Sequence, residues 1–158
     1  MIRKLLFPAA VFIMLATPPH TARAEQGPVD VEANEMEIID ADKRAIFRGA
    51  VDATRPDGHI KSDTMVVDYA DVKQPDGTSK SEVSNMDAKG NVTITTKTQV
   101  ITGDWAKMNV KANTLEVGGN VKVVQGKTVL TGPKLNVDLN TNKTVMSGGR
   151  VKGSFVPK

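Results

Sequence analysis

Gly119-Asn120-Val121, followed by Leu130-Thr131-Gly132-Pro133, is a two-part phrase that the chain repeats. Gly90-Asn91-Val92 precedes Ile101-Thr102-Gly103-Asp104, and Gly49-Ala50-Val51 precedes Ile60-Lys61-Ser62-Asp63. In all three, the third residue of the second part lies 13 positions after the first glycine. A further first part, Gly149-Arg150-Val151, stands near the C-terminus. Successive first glycines are 41, 29 and 30 residues apart, and a fixed period of this size marks a repeat architecture. The longer first interval reflects an insertion at residues 70–82. Its Pro75-Asp76-Gly77-Thr78-Ser79-Lys80 segment reads as a turn or exposed loop.

Aligned on these phrases, the units place apolar residues in alternate columns. Val51, Val92, Val121 and Val151 form one, and Ile60, Ile101 and Leu130 another. Met65, Ala106 and Leu135, then Val67, Met108 and Val137, follow at steps of two. Lys, Asp, Asn, Thr and Gln fill most positions between. A period of two puts one face in the core and the other in water, and no stretch beyond residue 24 sustains a helical period. The expectation is all-β, with strands of about five to eight residues. In the third unit, breaks are expected at Gly118-Gly119 and at Gly132-Pro133. Glycines recurring in phase within strands mark bulges that let a sheet curl over its apolar face. A jelly roll, an open barrel and a β-solenoid all satisfy that pattern. The side chains expected to point inward are Ile60, Met65, Val67, Val92, Ile101, Met108, Val121, Leu130, Leu135 and Val137.

The 158 residues suffice for one domain or two small ones, and a 4% aromatic content leaves aliphatic side chains and Met to build the core. The absence of cysteine excludes disulfides, thiol nucleophiles, thiolate zinc sites and iron–sulfur clusters. Residues 1–24 have the layout of a cleaved secretory signal: Arg3 and Lys4, an apolar run over 5–16, and Ala22-Arg23-Ala24. That run is too short to span a membrane. The expected mature domain, residues 25–158, carries 18 basic and 18 acidic side chains, which removes the charge argument for nucleic-acid binding. The balance is uneven along the chain: residues 25–76 sum to −7 and residues 77–158 to +7. Such polarity suits end-to-end association or an anionic ligand, and equally a merely solvated surface.

No catalytic constellation emerges. Gly126-Lys127-Thr128 lacks the upstream glycine and the following helix of a phosphate loop. Asp63 and Asp104 recur with the repeat, as turn-capping or solvent-facing acids do. His59 lies beside the Pro56-Asp57-Gly58 turn without partners at metal-ligand spacing. Trp105 falls on the outer face, where a surface anchor and an interface both remain open.

The phase-locked Gly-Asn-Val and Ile-x-Gly-Asp words behind a signal resemble the LptA/OstA family, whose OstA-like domain serves lipopolysaccharide transport. The repeat that carries the resemblance covers most of residues 29–153. It implies a twisted, open, V-shaped β-jelly roll of antiparallel strands, built here from repeats of about 30 residues. It implies a periplasmic, non-enzymatic protein without cofactor or metal that shields lipid A acyl chains between the inner and outer membranes. Its implied partners are lipopolysaccharide, LptC-type inner-membrane and LptD-type outer-membrane OstA-like domains, and further copies of itself in a head-to-tail oligomer. An unclosed sheet leaves an edge strand at each end, expected at Val29 and Val31 on one side and at Val145 and Val151 on the other. Asp30, Glu32, Glu35 and Glu37 near the first edge complement Arg150, Lys152 and Lys158 near the second. The chain departs from the pattern at the 70–82 insertion and by ending soon after Gly153. The alternating columns also suit an adhesive β-solenoid with a dry core, or a soluble shuttling lipid carrier.

Overall fold

The computed structural model describes residues 29–157; the expected signal segment and Lys158 lie outside the described residues. The described chain is one antiparallel sheet of ten strands. They are β1 (Asp30–Glu32), β2 (Glu35–Ile39), β3 (Arg44–Arg55), β4 (Gly58–Lys73) and β5 (Ser79–Thr96). β6 (Val100–Asn109), β7 (Thr114–Gln125), β8 (Thr128–Asp138), β9 (Lys143–Ser147) and β10 (Lys152–Ser154) follow. β3 to β8 pair in chain order. Two short strands, β1 and β2, share β3 as partner, and β9 and β10 share β8.

That sharing defines two leaves. Each long strand contributes its segment on one side of a crease to the first leaf, with β2 and β9 as edges, and the rest to the second, with β1 and β10 as edges. The repeat phrase builds the crease. Gly49, Gly90 and Gly119 have φ of 81°, 80° and 77°, and the next residues, Ala50, Asn91 and Asn120, have 46°, 47° and 50°. Two successive left-handed residues insert a bulge without ending the strand. Glycine and asparagine adopt that conformation at the lowest cost. The pairing register shifts at each of these points, between Arg48 and Val51, Lys89 and Val92, and Gly118 and Val121. The strands therefore kink where breaks were expected, and β3 to β8 run 10 to 18 residues instead of five to eight.

The second half of the phrase keeps the crease thin. Ser62, Gly103 and Gly132 share its third position. A Cβ on Gly103 would lie 2.6 Å from Val117 Cγ1, and one on Gly132 2.6 Å from Met146 Sδ. These small residues let first-leaf side chains close over the second leaf. Acidic residues of the phrase serve the bulge itself. Asn91 Nδ2 donates to Asp63 Oδ2 at 2.8 Å, and Asn120 Nδ2 to Asp104 Oδ2 at 3.5 Å. Trp105 lies over Gly118 on the outer face, so its ring covers a strand glycine.

The turn expected in the 70–82 insertion is confined to its tip, and the rest of the insertion is strand. β4 and β5 stay paired as far as Lys73 and Ser79, forming a two-stranded arm beyond the first leaf. Only residues 74–78 turn, closed by Gln74 N–H donating to Thr78 O at 2.8 Å. Both faces of the arm meet water, so it has no apolar alternation by which a strand is read from sequence. Its base is tied down by a 3.0 Å Lys43–Asp71 ion pair and by Tyr69 Oη donating to Asp40 at 3.2 Å.

Candidate functional site

Inward-facing side chains of both leaves form a single apolar cluster. Across the first leaf, register neighbours Ala45, Val67, Met86, Met108, Leu115 and Val137 make one inner row. Val31, Ala53, Ile60, Ile94, Ile101, Val123 and Leu130 make the corresponding row of the second. Of the residues expected inside, Ile60, Met65, Val67, Val92, Ile101, Met108, Val121, Leu135 and Val137 are buried. Leu130 is half-buried against the same cluster. Met65, Met86 and Met108 give this interior unbranched, polarizable side chains that adapt to irregular neighbours. The Ser62 hydroxyl, the buried polar group here, donates to Thr64 O at 2.9 Å. Hydrocarbon and thioether surfaces of this kind act by removing apolar groups from water, not by making bonds.

The inner face does not stop at the core. Met36 lies opposite Phe47 and Ile38 opposite Ala45, in the register of the buried rows, yet they are 60% and 57% exposed. At the other end Phe155 is 70% exposed and rests beside Gly153. The structure places Val29 and Val31 half-buried on the inner side of the first edge. Val145 is exposed on β9, and Val151 is exposed in the segment between β9 and β10. Glu35 and Glu37, expected to offer free charge at the first edge, both accept from Arg48 at 3.0 Å, so part of that charge is neutralised within the chain. Their carboxylates in turn hold the Arg48 guanidinium above its ordinary pKa, Glu37 most strongly.

On the outer face a shallow trough of about 620 Å³ crosses the first leaf, lined among others by Asp68, Asn85, Asp87, Lys107 and Asn109. Half-exposed His59 sits beside Thr54 Oγ1, 3.3 Å from its Nδ1, and belongs to the outer row. Arg55 was not legible as a site residue. It occupies the last inner position of β3, two residues beyond Ala53, with a side chain only 9% exposed. Nothing in the sequence separates it from an ordinary turn-flanking arginine.

Residues 30–143 match the family model described as "LptA/(LptD N-terminal domain) LPS transport protein". An uncharacterized protein of Rhizobium meliloti (strain 1021) is 25% identical over 134 residues, covering 83% of this chain and 72% of that protein. The fold is similar to the crystal structure of LptH, described as the LptA homologous periplasmic component of the lipopolysaccharide transport device from Pseudomonas aeruginosa. The TM-score is 0.70 at 17% identity, over 82% of this chain and 96% of that one. The open antiparallel jelly roll that the family resemblance implied is thus the observed fold, and the chain belongs to the LptA/LptD N-terminal domain family of lipopolysaccharide transport proteins.

Proposed function

We propose that this protein is a non-catalytic periplasmic bridge that holds the acyl chains of lipopolysaccharide between its two leaves and passes them along a head-to-tail assembly. The observation that carries the reading is the largely apolar inner face, which runs through the core and emerges at an edge as Met36 and Ile38. Each CH₂ moved from water into such an interior gains about 0.8 kcal/mol. Several long acyl chains therefore offset the parting of leaves that otherwise pack on each other. Directed movement draws its energy from elsewhere in the transport system. At each end, exposed strand edges recruit a like domain by strand addition, another copy or the OstA-like domains of LptC-type and LptD-type partners. The inner face then continues from one subunit into the next.

Photo-crosslinkers placed at Val67, Met108 and Val137 test this directly. They should capture lipopolysaccharide in cells, whereas crosslinkers at Asp68, Asn109 and Asp138, one position further along the same strands, should not. Equal labelling of the two sets would overturn the inner-face reading.

A further inference from the structure

Arg55 is a guanidinium on an otherwise apolar face. It stands at the end of β3, where the free margins of the two leaves face each other opposite the crease. Its side chain crosses the interior: Nη1 donates to Met108 Sδ on the first leaf at 3.0 Å. Nη2 donates to Asp57 Oδ2 at 3.2 Å, and Nε lies 3.1 Å from Asp57 Oδ1. A charge this covered needs strong acceptors. Those present are a weak one, the thioether, and a carboxylate whose side chain is 61% exposed. Acyl chains entering between the leaves at this margin must separate Arg55 from Met108, which frees Nη1 at the boundary between hydrocarbon and water and leaves Nε and Nη2 held only by the exposed Asp57 carboxylate.

We infer that Arg55 is an anion subsite at the mouth of the interior, taking a phosphate carried by the headgroup of the lipid whose chains lie between the leaves. This deepens the lipid-binding reading proposed above and rests on it. Phosphate oxygens match the planar fork of a guanidinium and accept charge-assisted hydrogen bonds. The position couples the two events: chain entry breaks the Met108 contact, and the phosphate replaces it. Asp57 sits on the adjacent turn and can swing into solvent as the phosphate binds.

The test compares binding of diphosphorylated lipid A, of its phosphate-free counterpart and of inorganic phosphate to the purified protein and to R55Q, R55M and R55K. Wild type should prefer the phosphorylated lipid. R55Q and R55M should lose that preference by roughly tenfold to a hundredfold, the worth of hydrogen bonds to a charged group. Both should keep their affinity for the phosphate-free lipid, and R55K should fall between. R55M retains an apolar stem against Met108 and so guards against a folding artefact. A crosslinker at Asp57 should capture the phosphorylated lipid in preference to the other. Equal wild-type affinity for the two lipids, or an Arg55 effect of equal size on both, overturns the subsite and leaves the lipid-binding reading standing. Arg55-dependent saturation by inorganic phosphate alone, at the same concentrations as the lipid, overturns the headgroup assignment. Failure of wild type to bind either lipid overturns both readings.

Discussion

Met65, Val117 and Leu135, in the middle of the inner face, are fully sealed, whereas Met36 on the same face in β2 is 60% exposed. Both sets obey the same alternation and the same register. What separates them is neighbours. A middle residue has a strand on each side and the opposite leaf across from it, while an edge residue lacks one of the flanking strands. The middle is thus a protein core, and the edge is the same inner face left open to solvent. Apolar area of this kind, contiguous with strand edges, marks an interaction surface.

The sharpest break in this contrast comes from placing one charge in each region. Val121→Asp puts an unpaired carboxylate in the sealed middle and should cost several kcal/mol, enough to unfold a marginal domain, as chemical denaturation would show. Lys122→Asp, one residue on and exposed, should shift stability by no more than about 0.5 kcal/mol.

Next in size is the effect on assembly. The double variant Met36→Glu with Ile38→Glu should leave the fold standing and eliminate self-association at the first edge. Deletion from Thr144 onward should eliminate association at the other edge and leave the first competent. Light scattering with size-exclusion chromatography over a range of concentrations reads both. Strict monomers of the unmodified protein at high concentration, with no capture of a second OstA-like domain, would favour a shuttling carrier over a bridge.

A smaller effect separates the first crease from the later ones. Ala50 holds the left-handed position that asparagine fills in the next two units, at a φ of 46°. Alanine pays about 1–2 kcal/mol for that conformation, so Ala50→Asn should raise stability by about 1 kcal/mol. Asn91→Ala should lower it by a similar amount, and thermal melts of the two variants give the comparison. An unchanged melting temperature in both would mean that the crease tolerates alanine freely.

The smallest effect lies in the arm. The Ser81 hydroxyl and then Lys43 hold the Asp71 carboxyl below its ordinary pKa. A lowered folded-state value stabilises above the ordinary carboxyl range, and that contribution disappears as pH falls through the lowered value. The protection factors of amides in residues 70–82, which is exchange corrected for its intrinsic pH dependence, should therefore fall on acidification in wild type. In Asp71→Asn they should start lower and change less with pH.

The columns made the strand faces legible because each long strand buries one face, and burial imposes alternation. Bulge positions were legible as glycines in phase, but a kink and a break look alike in sequence, so the strands are longer than expected. The arm was illegible for the opposite reason: with no buried face, Asp71, Val72 and Lys73 carry no pattern. Arg55 escaped notice because its meaning depends on Met108, 53 residues away, and on a leaf that folds over it. Nothing in the sequence marks Met36 and Ile38 as exposed, since exposure at an edge follows from a missing neighbour.

The arm also shows how this architecture separates its dimensions. Strand addition of the kind proposed would lengthen an assembly across the strands, whereas the insertion lengthens β4 and β5 along them. The two directions are perpendicular. A wall built this way can be made taller at one chosen place without changing how its panels join, so a projection can be added at residues 70–82 while the seams at either end keep their shape.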